Sequence, residues 1–257
     1  MQHIQQVKML ALQANIGFSL AIEWERCPDG VDLVDLRPEP LPENASLLER
    51  IRPEGLHFRP KNPNRVTERL SLDSLESLVA LRFTNASDVE ALRAFLDRYG
   101  LPVAYGEDSL ERLVSRQREL KSFLNDYVPY VHAKRGEVQR QIINEFLKGF
   151  VLSPQIAIGA LGMNVELKPR SLWQYMFMEL LLAASLGAQP HACENCGDVF
   201  LTGKHTERRS TAHFCSDKCR VASFRNARRK VSGERDRLAR GDHSLASSVQ
   251  GRNGAVK

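Results

Sequence analysis

The sequence predicts an α+β protein whose C-terminal end carries a small metal-stapled module, and three observations lead there. Alternating apolar segments bounded by Pro and Gly dominate up to about residue 70, patterns with a helical period fill the middle, and four cysteines cluster between residues 193 and 219. A length of 257 residues with 42% hydrophobic content is enough to bury a sizeable core.

The elements follow in order. Phe18, Leu20, Ile22 and Trp24 alternate within Ile16–Glu25, and the turn text Cys27-Pro28-Asp29-Gly30 joins them to Val31–Leu36, so a hairpin is expected. The stretch from Leu36 to Asn64, rich in Pro and charge, reads as irregular connection with a short helix at Ser46–Ile51 and a strand at Leu56–Arg59. From Leu72 the period lengthens: Leu75, Leu78 and Leu81 share a helical face, and Asn85–Ser87 break and cap before a second helix that stops at Tyr99-Gly100-Leu101-Pro102. Asp108–Tyr127 and Gly136–Phe150 read as longer helices, with Pro129 breaking the join. Two strands, Ile156–Ile158 and Asn164–Leu167, precede the strongest helix, Leu172 to about Leu186, whose face of Trp173, Met176, Phe177, Leu180, Leu181 and Ala184 is expected in the core.

Charge separates the chain more sharply than its total of +5 suggests. Before Cys193 there are 22 basic and 24 acidic residues; from Cys193 onward there are 14 basic and 7 acidic. A neutral body followed by a basic end points to a polyanionic partner for that end. No targeting or membrane segment is expected, because Gln13 and Asn15 interrupt Met9–Ile22 and Gln174 and Glu179 interrupt the most apolar helix. A cytoplasmic protein is the expectation, and five cysteines in a reducing compartment suggest metal rather than disulfides.

The four clustered cysteines are spaced C-x2-C, then 18 residues, then C-x3-C: Cys193, Cys196, Cys215 and Cys219. Thiolates two or three residues apart can reach one metal from a tight turn or a helix start, and two such pairs complete a tetrahedron, so one structural Zn2+ is the expected cofactor. Gly197 stands where a knuckle turn needs positive φ, and Ser216 stands as N-cap of a helix that carries Cys219. His191, His205 and His213 flank the site and read as solvent or capping residues, and Cys27 as idle. The predicted fold is thus a mostly helical body with a small N-terminal β hairpin or sheet and a C-terminal treble-clef-like four-cysteine zinc finger. Its expected divisions are residues 1–190 (β-rich 1–70, helical 71–190), a finger over 191–231, and a disordered tail over 232–257, where Gly, Ser, Asn and Arg predominate.

The apolar helix from Leu172, then Cys193-Glu194-Asn195-Cys196-Gly197, Phe200 and Phe214-Cys215-Ser216-Asp217-Lys218-Cys219-Arg220, resembles the zinc-finger end of bacterial CGNR zinc-finger proteins. Arg220-Val221-Ala222 follows Cys219 here, where that family has Gly-Asn-Arg. The resemblance covers about a quarter of the chain. It implies a zinc role for the four cysteines and a transcription regulator that pairs a variable N-terminal domain with a DNA-contacting finger.

Between Lys204 and Lys230 nine basic residues face only Glu207 and Asp217. On a helix from Ser216 to about Lys230, Lys218, Arg225 and Arg229 share one face, while Val221, Phe224, Ala227 and Val231 gather on another. Arg208 and Arg209 can add phosphate contacts from the preceding loop, and Arg220, Arg228 and Lys230 complete the candidate nucleic-acid set. The expected function is DNA-binding transcription regulation, DNA over RNA, with an N-terminal sensing or assembly domain. The alternative is a zinc-stapled module that meets protein or RNA. A single finger reads few bases, which makes a homo-oligomer a further expectation. No enzyme is expected, since GxSxG, P-loop, dinucleotide and HExxH patterns are all missing.

Overall fold

The computed structural model describes residues 19–36, 55–102 apart from 73 and 76, 108–130, 137–150, 152–159 and 162–239 apart from 204 and 207. The expected helix at Ser46–Ile51 and the N-terminal residues through Phe18 lie outside them. The chain divides into two compact units: Met1–His191 with Val199–Ala212, and Ala192–Asp198 with His213–Lys257.

The first unit contains both sheets and helices, as expected. Strands β1 (Ser19–Arg26), β2 (Val31–Leu36), β3 (Gly55–Pro60) and β4 (Val66–Ser71) come first. The helices α1 (Val79–Thr84) and α2 (Val89–Tyr99), the short strand β5 (Asp108–Ser109) and α3 (Leu110–Ser122) follow. Next come α4 (Glu137–Leu147), β6 (Leu152–Gly159), β7 (Gly162–Pro169), α5 (Leu172–Ser185), β8 (Gln189–Ala192) and β9 (Val199–Thr202).

The expected hairpin of β1 with β2 is not formed. β1 lies in a four-stranded sheet of order β4-β1-β7-β6, whereas β2 belongs to a second sheet of order β2-β3-β5. The turn itself closes, with Gly30 N–H donating to Cys27 O at 3.0 Å. Beyond it the backbone takes other partners: Gly30 O accepts from Lys61 N–H at 3.1 Å, and Val31 N–H donates to the Asp97 carboxylate at 2.7 Å. The turn therefore hands the chain from one sheet to the other. β1 instead pairs antiparallel with β4 and parallel with β7, and the two strands expected at Ile156–Ile158 and Asn164–Leu167 are β6 and β7, longer at both ends and paired with each other antiparallel.

Leu75, Leu78 and Leu81 are all buried, as a helical face would require, but only Leu81 lies inside α1. Their burial comes from an irregular approach to that helix rather than from a helix of their own. The second helix starts later than the Asn85–Ser87 cap suggests. Asp88 is its N-cap and accepts from Ala91 N–H at 2.8 Å, as a short carboxylate does at an orphan helix donor. Asn85 is left for a different task, described below. Ser109 caps α3 in the same way, and Pro129 falls in the tight 3-10 turn Val128–Tyr130 that ends this run.

α5 is buried on nearly all sides, Tyr175 and Glu179 included, and packs against β1, β7 and α1. A helix apolar all round belongs inside a core, and its buried side chains share one cluster with Leu20, Ile22, Phe58, Leu96, Leu113 and Leu120. Glu179 is the exception to its apolarity. Its carboxylate accepts from Ala80 N–H at 2.8 Å in the first turn of α1, where orphan backbone donors collect. Burial nevertheless raises its pKa to about 8.

In the second unit the helix expected from Ser216 is α6 (Asp217–Ala239). It runs past Ser232, where the tail was expected to begin, because Glu, Arg, Leu and Ala beyond Gly233 are all strong helix formers. Residues 240–257 lie outside the described residues. No helix among those described is long and apolar enough to cross a membrane.

Candidate metal centre

Among the described side chains of the second unit Cys193, 3% exposed, is the only buried one. A module with no hydrophobic core needs a covalent or metal staple to fold.

The first cysteine pair lies on a knuckle. Cys193 N–H donates to Asp198 O at 2.9 Å and Gly197 N–H donates to Cys193 O at 2.9 Å, which closes the turn around Cys196. Gly197 has φ +79°, in the left-handed region that the sequence assigns to it. The second pair lies on the entry to α6. Ser216 Oγ accepts from Cys219 N–H at 3.2 Å, so the predicted cap is made and Cys219 is held one turn above Cys215. A backbone bond from Glu194 N–H to His213 O, 3.0 Å, ties the two halves together.

The four sulfurs lie within 4.8 Å of one another. Separations are 3.6 Å for Cys196–Cys215, 3.4 Å for Cys215–Cys219 and 3.7 Å for Cys219–Cys196. Thiolates about 2.3 Å from a shared tetrahedral cation stand about 3.8 Å apart, so this group fits one metal ion. The donor set is soft and closed.

Protonation differs among the thiols. Burial opposes ionisation of Cys193, but N–H groups of Cys215, Cys196 and Asn195 outweigh it and bring that thiol down to about 6. Burial pushes the Cys196 and Cys215 thiols up, so a cation must displace their protons to gain all four ligands.

None of the three flanking histidines joins the cluster. His213 Nδ1 lies 2.9 Å from a Glu194 carboxylate oxygen, the His191 ring stands 6.1 Å from that of Phe200, and His205 occupies a turn at φ +66°. Cys27 is buried in the first unit, where burial raises its thiol.

The basic candidates divide between the units. Arg208 and Arg209 belong to the first: the Arg208 guanidinium lies 5.3 Å from the centre of the Phe200 ring, and Arg209 O accepts from Ala212 N–H. Lys218, Arg220, Arg225, Arg228 and Arg229 are exposed on α6, and Lys230 lies on the same helix. Arg220 pairs with Asp217 at 2.9 Å, whereas none of Lys218, Arg225, Arg228 and Arg229 pairs with an acidic side chain among the described residues. Ala222 and Ser223 lie half-buried on the side of Cys219. Val221 and Phe224, grouped from sequence on one apolar face, are 42% and 62% exposed. Apolarity alone gave no sign of that, since the pattern of a buried face and of an exposed contact stripe is the same.

No protein-family model matches the chain, and no curated protein matches it.

Proposed function

We propose that the cysteine cluster holds one structural zinc ion and that the helix it anchors binds nucleic acid, DNA in preference to RNA, in the service of transcription regulation. The observation that carries this reading is the pairing of a four-sulfur centre with an exposed basic helix in a unit that buries no other described side chain. Four thiolates in a tetrahedron suit zinc, which supplies folding energy and leaves no open position for a substrate. The chain is accordingly read as a binding protein rather than an enzyme. Cys193, Cys196, Cys215 and Cys219 fix the first turn of α6, and the remainder of that helix presents its cations to the phosphate backbone. The likeness to CGNR zinc-finger proteins supports the same assignment and gives the first unit a sensing or assembly role.

Elemental analysis of reduced protein should return one zinc per chain. Fluorescence anisotropy against duplex DNA, single-stranded RNA and a non-nucleic polyanion, each at several salt concentrations, tests the second half. Four phosphate contacts from Lys218, Arg225, Arg228 and Arg229 predict a log–log salt slope of about −3.6 for duplex DNA. Replacing Lys218, Arg225 and Arg229 with Ala should flatten it by about 2.7 while zinc content holds. Equal binding to all three polyanions overturns the DNA reading, and absence of stoichiometric zinc overturns the whole.

A further inference from the structure

Val221 and Phe224 lie one turn apart on the outer side of α6, exposed beside Lys218, Arg225, Arg228 and Arg229, which pair with no acidic side chain among the described residues, so the stripe joins apolar and cationic groups on one surface. Three occupants are conceivable, and the charges around the stripe decide among them. A second copy of the helix would bring Arg228, one turn beyond Phe224 on the same stripe, against its own counterpart. A single nucleic-acid strand is held by successive aromatic platforms, but Phe224 is the one exposed large aromatic on α6 among the described residues. A duplex groove suits the stripe better. An α-helix fits the major groove, and Lys218, Arg225 and Arg229 on one flank with Arg228 beside Phe224 would face phosphates while the apolar pair points at base edges. The one apolar group displayed on base edges in that groove is the C5-methyl of thymine.

We infer that Val221 and Phe224 are base-contacting residues that read thymine methyl groups in the major groove of duplex DNA. This deepens the nucleic-acid reading above and rests on it. The probe is an alternating A·T duplex, compared with an identical duplex in which uracil replaces thymine and with single-stranded oligo-dT, all titrated with the full-length, zinc-loaded chain. The methylated duplex should bind tighter than the uracil duplex by on the order of fourfold for each methyl buried. V221A/F224A should bind both duplexes at the level that the wild type shows for uracil, with zinc content and salt slope unchanged, because both side chains are exposed and their truncation leaves the fold intact. Equal wild-type affinity for the two duplexes, an undiminished preference in V221A/F224A, or tighter binding to oligo-dT overturns the inference. Equal affinities with a steep salt slope sink the thymine contact alone; loss of salt-dependent binding to every DNA sinks the nucleic-acid reading with it.

Discussion

Asn85 bonds the backbone of Val199 in both directions: its Nδ2 donates to Val199 O at 2.8 Å, and its Oδ1 accepts from Val199 N–H at 2.8 Å. One side-chain amide thus completes the edge of β9 as a neighbouring strand would, and it joins positions 114 apart in sequence. Only an amide offers a donor and an acceptor at that spacing. Asn85→Ala should cost about 2–3 kcal/mol, since two half-buried backbone groups lose their partner. Asn85→Asp should cost at least as much, because a carboxylate cannot donate to Val199 O. Urea unfolding of both variants measures the two values, and a change below about 0.5 kcal/mol in either refutes the role.

Glu179 makes stability depend on pH in an unusual direction. Its carboxyl titrates at about 8 in the fold against 4.5 ordinarily, so the folded state holds a proton that the unfolded state releases between those values. The contribution is therefore most favourable below about pH 4.5 and is lost as pH rises through about 8. Glu179→Gln removes the titration and keeps an oxygen for Ala80 N–H. Wild-type stability should fall relative to that variant from about pH 5 to about pH 8, and a pH-independent difference in urea midpoints excludes the effect.

Metal removal should act on one unit only. Val199 and Leu201 lie in the core cluster of the first unit, although they fall between the two ligand pairs in sequence. A chelator, or Cys193→Ser, is expected to abolish amide protection at 193–198 and along α6 while β9 stays protected. Hydrogen exchange read by mass spectrometry tests this directly. Simultaneous loss of protection in β9 would mean that the metal also supports the body.

Gly197 gives a graded test of the knuckle. A Cβ added there meets nothing within 4 Å, so the strain of Gly197→Ala comes from φ +79° alone. That strain is about 1 kcal/mol, which predicts metal affinity weakened about fivefold. Competition with a chromophoric chelator measures it. Unchanged affinity would show that the knuckle relaxes freely.

Features set by local chemistry were legible in the sequence. The cysteine spacing, the cap at Ser216, the left-handed Gly197, the buried helix α5 and the two strand segments that become β6 and β7 all follow from neighbouring residues and their periods. What escaped depends on distant partners. The turn at Cys27–Gly30 has the text of a hairpin, yet whether β2 returns along β1 is decided by Lys61 and Asp97, which no local pattern announces. Asn85 read as a helix breaker because its true partner, Val199, is remote. At the other end, Ser232 and Gly233 suggested a tail, but helix propensity in the residues after them outweighs two weak positions. Exposure of Phe224 is a fact about what surrounds it rather than about its own spacing.

Because Cys193 is the only buried side chain described in the second unit, the four clustered cysteines and the groups that α6 turns outward are different residues. Substitution at Lys218, Val221, Phe224, Arg225, Arg228 or Arg229 is therefore expected to leave the four-cysteine scaffold beneath that helix intact.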